Sequence, residues 1–218
     1  MGQILLSPRA ARTRSALLSA GMELLVGRPV DAISIDEFVG AAGVAKGSFF
    51  NHFVDKQQFA HAIAMQIRVE LEDWVGRLNA GVPDPLERLA GGVVAAAAYA
   101  LVNPQRTIVL ARFLNGTSHD DHPLNAGLLQ DLRDARATGS IDIPTEQIGV
   151  LFWLGTCQSM MANIVESGAD EAAAKRLSID MLKVALRGFA ASPAKIAAIV
   201  EAGAIDDKFG LLNRPDLG

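Results

Sequence analysis

Apolar side chains recur every third and fourth residue along most of this 218-residue chain. The strict alternation of apolar and polar residues that indicates a β-strand is not found, and the β-branched residues are scattered rather than clustered. A helix with this spacing carries an apolar stripe that it must bury against other elements. We therefore predict an all-α fold.

Prolines and glycines mark where the helices begin and end. Ser7 and Pro8 supply an N-cap and a first helical residue, and Pro85 and Pro104 open later helices in the same way. The predicted helices are 8–26, one between Ser34 and Gly43, 46–52, 56–78, 85–102, 104–114, 123–137, 145–167, 171–188 and 192–203. The Gly/Pro-containing run 79–83 is the clearest domain boundary. We assign 8–55 to a first domain, 56–79 to a connecting helix, 84–203 to a second domain and 204–218 to a C-terminal tail.

The second predicted helix begins at a capping box. Ser34 and Glu37 lie three residues apart, so each side chain can accept the free backbone N–H of the other. Ile33 and Phe38 flank the box as a hydrophobic staple, and Gly43 suits the left-handed residue that ends a helix. These signals predict a short helix between Ser34 and Gly43.

A very short helix and a second capping box follow. The helix over residues 46–52 begins about three residues after the previous one ends. Asp55 and Gln58 form the second box, with Val54 and Phe59 as its staple, and the long connecting helix begins there. Two helices joined by a tight turn, the second of them short, have the geometry of a helix-turn-helix, whose second helix enters the major groove of DNA.

The residues of this segment carry a family resemblance. Residues Gly43 to Phe53 read Gly-Val-Ala-Lys-Gly-Ser-Phe-Phe-Asn-His-Phe, and Asp55 to Phe59 read Asp-Lys-Gln-Gln-Phe. Over about residues 10–60 the sequence resembles the TetR (tetracycline-repressor-like) family of transcriptional regulators. The family usually has tyrosine where Phe50 stands, so a hydrogen bond to phosphate from that position is lost. The resemblance implies a three-helix DNA-binding domain followed by a larger helical domain that binds a ligand and forms a homodimer.

The side chains of this segment suggest how it would bind double-stranded operator DNA. Lys46 and Asn51 reach furthest and are the candidates for base edges, lysine reading guanine and asparagine reading adenine. His52 and Lys56 are assigned to phosphates, and Lys56 also begins a helix, whose free N–H groups attract an anion. The predicted DNA-binding residues are Ser34, Lys46, Gly47, Ser48, Phe50, Asn51, His52 and Lys56. The predicted core of the motif is Phe38, Val44, Phe49 and Phe53.

A dimer is expected because one recognition helix reads too few base pairs to select a site. Two-fold symmetry places two such helices about one DNA turn (~34–36 Å) or more apart. The predicted helix 145–167 is apolar around its axis, and 171–188 has a polar stripe. In the family, the last long helix pair forms a four-helix bundle across the dimer axis. The predicted interface residues are Leu151, Ile164, Met181, Leu182, Leu186 and Phe189.

The resemblance also implies an effector pocket in the second domain, because family members bury small, mostly apolar ligands there. Aromatic and sulfur-containing side chains in this region could line an adaptable cavity for a small apolar or aromatic effector that releases the DNA. The alternative is that these side chains are ordinary core. The predicted effector-binding residues are Tyr99, Phe113, Phe152, Trp153, Cys157, Met160 and Met161.

Charge and composition limit the function classes. The net charge is −4, and residues 1–56 hold six basic and five acidic side chains, so DNA binding must be local. The longest unbroken apolar run, Val93 to Val102, is shorter than the ~18–20 residues of a membrane span. The single cysteine, Cys157, forms no intrachain disulfide, which suits a reducing cytoplasm. No cofactor, metal site or catalytic residue is predicted.

Two parts of the sequence carry side chains that can bind metals or react. The run from His119 to His122 resembles a metal-binding sequence, but four adjacent loop residues cannot easily converge on one ion, so a solvated loop is expected. Cys157 lies in the middle of a helix among apolar neighbours, which raise the pKa of a thiol and argue against a nucleophile. A redox switch through Cys157 across the dimer axis stays open.

Two other functions fit the same fold. An all-helical enzyme or ligand carrier with an unused helix-turn-helix would have no DNA affinity. The polar face formed by Lys46, Ser48, Asn51, His52 and Lys56 favours DNA binding over that alternative. An activator or a protein-binding regulator on the same fold stays open.

Overall fold

The computed structural model describes residues 7–113 and 122–201, together with Ile205 and Phe209. Across these residues it is helical, with no strand. The α-helices are α1 (Pro8–Gly27), α2 (Ile35–Ala41), α3 (Lys46–Phe50), α4 (Lys56–Leu78), α5 (Pro85–Val102), α6 (Pro104–Phe113), α7 (Ala126–Ala137), α8 (Glu146–Ser167), α9 (Glu171–Gly188) and α10 (Pro193–Glu201). Short 3₁₀ turns cover Val30–Ala32 and Pro123–Asn125. The predicted all-α class is confirmed.

Among the described residues, two helix boundaries differ from the sequence-based prediction by more than one residue. The helix α3 ends at Phe50 rather than at residue 52, because the His52 N–H bonds the Phe49 carbonyl three residues back, at 2.9 Å, and tightens the last turn. The helix predicted over 123–137 divides into a 3₁₀ turn and α7, and the turn brings Asn125 into the interior. Both differences lie at helix ends, where a local pattern is least decisive.

The first capping box forms as predicted. The Glu37 N–H donates to Ser34 Oγ at 3.2 Å, and the Ser34 N–H donates to Glu37 Oε2 at 2.9 Å. The Ser34 N–H and the Arg28 guanidinium, which lies 2.7 Å from Glu37 Oε1, lower the pKa of Glu37 to about 2. Gly43 leaves α2 at a φ of +64°, a left-handed conformation that a glycine adopts without strain. The turn between α2 and α3 is thus fixed by local contacts.

The second box differs in one contact. Asp55 Oδ1 accepts the Gln58 N–H at 2.7 Å as expected, but Gln58 Oε1 accepts the N–H of Val54, also at 2.7 Å, rather than that of Asp55. The side chain of Val54 is 77% exposed while Phe59 is fully buried. The staple between Val54 and Phe59 is therefore a wrong prediction.

An aromatic cluster joins α2 and α3 to α4. Phe59 of α4 lies at its centre, with ring centroids 4.9 Å from Phe38, 5.2 Å from Phe49 and 4.8 Å from Phe53. The predicted core members Phe38, Phe49 and Phe53 are buried, whereas Val44 is only half-buried. The helix-turn-helix is consequently fastened to the first turn of the long helix α4.

A close approach of α1 to α4 completes this domain. A β-carbon on Gly21 would overlap the Phe59 ring and lie 2.8 Å from Ile63 Cδ1, so only glycine allows the two helices to pack at this distance.

The second domain is built around α5. This helix packs against α4, α6, α7, α8 and α9, and every residue from Val93 to Ala100 is buried. By length and composition α5 and α8 could each cross a membrane. In α5, however, 67% of the 18 residues lie inside this helical core. In α8 only 33% is buried, which leaves an apolar face uncovered.

Parts of two predicted segments lie outside the described residues. These are most of the loop 115–122, including His119, and most of the tail 204–218. The described residues of the tail, Ile205 and Phe209, are helical and buried, and Lys175 Nζ of α9 lies 5.5 Å from the centroid of the Phe209 ring. His122 caps the 3₁₀ turn, where its Nδ1 accepts the Leu124 N–H at 3.3 Å.

Candidate functional site

The helix α3 presents a mixed polar and aromatic face. Phe49 turns inward and is fully buried, whereas its neighbour Phe50 is 53% exposed. The predicted residues on α3 and directly after it are brought together on this face: Lys46, Gly47, Phe50 and Asn51 are exposed, and Ser48 and His52 are half-buried. An exposed phenylalanine beside amide, hydroxyl and ammonium groups gives a surface able to pack on sugar and to bond phosphates or base edges.

Lys46 forms an ion pair in the free protein. Its Nζ lies 2.9 Å from Asp36 Oδ1 of α2, and the two side chains are 56% and 69% exposed. A pair this exposed contributes little to stability and is readily exchanged. Lys46 can therefore leave Asp36 for a nucleic acid without disturbing the fold.

Lys56 has contacts that its assignment to phosphate did not include, and Ser34 is already used in the capping box. Lys56 Nζ donates to the carbonyls of Asp31 and Ile33, at 2.9 and 3.4 Å, and so fastens α4 to the turn before α2. The anion expected at the N-terminus of α4 is partly supplied by the carboxylate of Asp55. The Ser34 hydroxyl is engaged with Glu37, donating to Oε2 at 3.0 Å. For these two residues a contact to phosphate would be added to a structural role.

A cavity of about 320 Å³ lies between α4, α5, α7 and α8. This volume falls in the range of small-molecule sites. Its apolar wall consists of Leu71, Val75, Leu89, Ala96, Leu128, Trp153, Leu154 and Cys157. Gly76 of α4 and Gly127 of α7 also line it and are solvent-exposed, so the cavity opens between these two helices.

Two of the seven predicted effector-binding residues, Trp153 and Cys157, line this cavity, and the other five do not. Tyr99 is buried elsewhere, with its hydroxyl donating to Glu70 at 3.2 Å. Phe152 is 40% exposed and its ring packs 5.3 Å from that of Phe189. The remaining three, Met160, Met161 and Phe113, belong to or pack against the core. The placement of these three residues agrees with the alternative that they are ordinary core.

Cys157 is protected from reaction by its surroundings. Burial raises the pKa of its thiol to about 12, so the thiol is protonated at neutral pH. It lies in the cavity wall rather than on the exposed face of α8. This position does not support the redox switch across a dimer axis.

The polar part of the cavity was missed by sequence reasoning. Arg68 Nη2 lies 2.6 Å from Glu72 Oε1 and donates to Asn125 Oδ1 at 3.2 Å. Arg88 and Asp131 form a second pair, 2.6 Å apart. Arg68 lies beside Ile67 and Leu71 on the buried side of α4, and a cation within an apolar stripe is the signal that could have found it.

Most of the predicted dimer residues are in the core of this chain. Ile164, Leu182, Leu186 and Phe189 are at most 3% exposed, so they cannot form a surface for a partner; Met181 is half-buried. Leu151 is the exception, at 49% exposure. The large apolar residues that α8 and α9 leave exposed are Ile148, Leu151, Phe152 and Val184.

A third feature connects the two domains through α6. Arg112, in the last turn of α6, donates to the carbonyl of Leu25 at 2.5 Å, near the C-terminus of α1. Arg106 of α6 binds the carboxylate of Glu70 on α4, with its Nη1 2.7 Å from Oε1. The helix α6 thus contacts both helices that support the helix-turn-helix.

These features define a helix-turn-helix protein with a helical second domain that contains a cavity. The family described as bacterial regulatory proteins, tetR family, matches residues 17–63. The chain is 40% identical over 47 residues to the uncharacterized HTH-type transcriptional regulator YwcC of Bacillus subtilis (strain 168); the match spans 22% of this chain and 21% of YwcC. The resemblance to the tetR family of bacterial regulatory proteins is thus confirmed over this N-terminal segment.

The likeness to solved structures covers both domains. RolR in complex with resorcinol superposes with a TM-score of 0.59 and 19% identity, covering 88% of this chain and 94% of RolR. A TetR family transcription regulator from Marinobacter aquaeolei VT8 superposes with a TM-score of 0.65 and 16% identity, covering 82% of this chain and 96% of that one. At these identities the likeness shows the shared fold. The second domain is therefore common to the fold, while its ligand must be inferred from its own residues.

Proposed function

We propose that the chain is a ligand-responsive transcriptional repressor that binds a palindromic operator as a homodimer in the cytoplasm and performs no catalysis. The observation that carries this proposal is the exposed face of α3, where Lys46, Phe50 and Asn51 are displayed by a rigid aromatic core. An enzyme or carrier with an unused helix-turn-helix has no need of an exposed phenylalanine among polar donors. The chemistry of this face fits DNA.

The dimer in this proposal is supported by an uncovered apolar stripe. Ile148, Leu151 and Phe152 follow a helical spacing on α8 and are 47%, 49% and 40% exposed, and Val184 on α9 is 59% exposed. A stripe of large apolar side chains on two neighbouring helices needs a partner surface. A second copy of the chain would supply one and would place two α3 helices on one side of the assembly.

The effector is proposed to bind in the cavity between α4, α5, α7 and α8. Support comes from its mainly apolar wall and from its position against α4, whose first turn holds the helix-turn-helix. The RolR structure contains resorcinol, a small aromatic compound, in a related fold. A ligand in this cavity would change the position of α4 relative to α5 and so the spacing of the two α3 helices.

The proposal is tested by separating base contacts from phosphate contacts. Lys46→Ala or Asn51→Ala should cost ~1–3 kcal/mol on the preferred operator and relax the preference at particular base pairs. Lys56→Ala should weaken binding to all duplexes alike and lower the salt slope by about one. Fluorescence anisotropy with operator and scrambled duplexes at several salt concentrations measures both effects.

Two outcomes would count against these assignments. An equal loss on every duplex for all three variants excludes base reading by Lys46 and Asn51. Wild-type protein without measurable DNA affinity at low salt would favour the carrier or enzyme alternative. Because Lys56 also holds the Asp31 and Ile33 carbonyls, circular dichroism of Lys56→Ala must show intact helices before its DNA affinity is interpreted.

The connection through α6 gives a second prediction. Arg112→Ala removes the guanidinium that satisfies the carbonyls at the end of α1, and we expect the effector to weaken operator binding by a smaller factor in this variant. Coupling between two sites is typically 5–150-fold and is reciprocal, so operator DNA should also weaken effector binding less. Titrations of each ligand with and without the other measure both factors. Arg136→Ala, an exposed arginine in the last turn of α7, is the control and should leave the coupling unchanged.

A further inference from the structure

The two arginines that line the cavity differ in how their donors are used. In Arg88 all three nitrogens have acceptors: Nε lies 2.6 Å from Asp131 Oδ1, Nη2 lies 2.8 Å from Asp134 Oδ2, and Nη1 lies 2.8 Å from the Pro83 carbonyl. Two carboxylates surround this one guanidinium. The Arg88 end of the cavity therefore has no cationic donor to offer a ligand and repels an anion.

Arg68 is the opposite case. Only its Nη2 is engaged, with Glu72 and Asn125. Its Nε is buried without an acceptor, and no described residue accepts a hydrogen bond from its Nη1. The whole residue is 7% exposed. A buried donor without a partner costs ~1–3 kcal/mol, and a charged one costs more, so this guanidinium gains from any acceptor that enters the cavity.

The acid that accompanies Arg68 leaves room for such an acceptor. Glu72 Oε1 lies 2.6 Å from Nη2, and the carboxylate does not accept a hydrogen bond from Nε, which has no acceptor. Burial raises the pKa of Glu72 although Arg68 opposes the shift, so the ionised carboxylate is not well stabilised there. A second carboxylate with better geometry can compete for the same arginine.

We propose that the cavity binds a small, mainly apolar carboxylic acid, with its carboxylate on the free donors of Arg68 and its apolar body along Leu71, Val75 and Trp153. This inference rests on the proposed function only in taking the cavity as the effector site. The apolar path follows α4 from Arg68 to Asn79, a rise of about 16 Å at 1.5 Å per residue. A ligand carboxylate that displaces Glu72 from Nη2 can bond Nη2 together with one of the two free donors, and an alcohol or an amine cannot reproduce this paired contact with a buried guanidinium.

The experiment uses the full chain and two acids with different apolar bodies, octanoate and 3-phenylpropanoate. Each acid is compared with its own primary amide. Octylamine serves as the cationic probe. Isothermal titration should show at least one acid binding about tenfold or more tightly than its amide, with no detectable binding of octylamine. Glu72→Gln should tighten binding of that acid and leave the amide unchanged, since it removes only the competing charge. Arg68→Gln/Glu72→Gln, which removes both charges together, should bring the acid down to the affinity of the amide.

Equal affinities of acid and amide for the wild type would overturn the inference, as would the absence of acid binding below about 1 mM. A preference for acids that persists in the doubly substituted protein would also overturn it. If that protein does not fold, Glu72→Gln decides, because an unchanged or weakened acid affinity there contradicts competition for Arg68. Acid binding that leaves operator affinity unaltered would instead overturn the effector role, and the two failures are thus distinguished.

Discussion

Val184→Asp should convert the proposed homodimer into folded monomers. Val184 is 59% exposed on α9, which packs against α8 and its exposed Leu151 and Phe152, so an aspartate there enters solvent in the monomer but an apolar interface in the proposed dimer. An unpaired charge in an interface costs about 3–5 kcal/mol, which raises the dissociation constant of the dimer about a hundred- to several-thousand-fold. Sedimentation at micromolar concentration measures the mass, and circular dichroism checks that the helices remain.

The neighbouring variant Leu186→Asp is the matched comparison. Leu186 lies two residues further along α9 and is fully buried in the chain's own core. Its substitution should prevent folding rather than release folded monomers, because the charge is buried whether or not a partner is present. Operator affinity should fall in both variants, but only Val184→Asp should keep a cooperative thermal transition. A Val184→Asp protein that still sediments as a dimer would contradict the assigned interface.

The helix-turn-helix was predictable because its signals act over a few residues. Ser34, Glu37 and Gly43 determine backbone contacts within one turn of helix, and the structure places them as the pattern indicates. The wrong prediction at Val54 shows the limit of such short-range signals. Its position relative to Phe59 satisfies the staple pattern, yet whether a staple closes depends on the direction from which the chain enters α4, which the local sequence does not determine.

The proposed dimer interface and the cavity could be located only once the packing of the helices was known. The polar stripe of α9 is consistent with Leu182 packing inside and Val184 facing outward, but α8 is apolar around its axis, and its sequence does not indicate that Ile148, Leu151 and Phe152 are the residues left exposed. In the same way Met160 is core and Cys157 lines a cavity, although both are apolar residues of α8 one turn apart. Arg68 and Glu72 have the spacing of an ordinary ion pair on a helix, and the apolar neighbours of Arg68 indicate that it is buried, but the local sequence does not indicate that the 3₁₀ turn before α7 brings Asn125 to the same guanidinium.

Gly92→Leu should abolish the effector response while leaving operator affinity near that of the wild type. Gly92 lines the cavity from α5, and the nearest atom to a β-carbon placed there is Trp153 Nε1, at 3.9 Å. A β-carbon therefore fits there at an ordinary contact distance, and the rest of a leucine side chain would extend into the space that the ligand is proposed to occupy. Cys157→Trp fills the same space from α8 and should have the same effect.

Gly92→Ala is the control, because it gives the same helix a better helix former but adds only one carbon at an ordinary contact distance. Forcing a ligand into an overfilled site costs ~1–3 kcal/mol or more, so the acid that binds the wild type best should bind Gly92→Leu at least about tenfold more weakly, with Gly92→Ala close to the wild type. Operator binding with and without that acid, followed by anisotropy, measures the response. A folded Gly92→Leu protein that still releases operator normally would move the effector site away from this cavity. In that event the free donors of Arg68 would need another explanation, because a ligand bound elsewhere could not reach them.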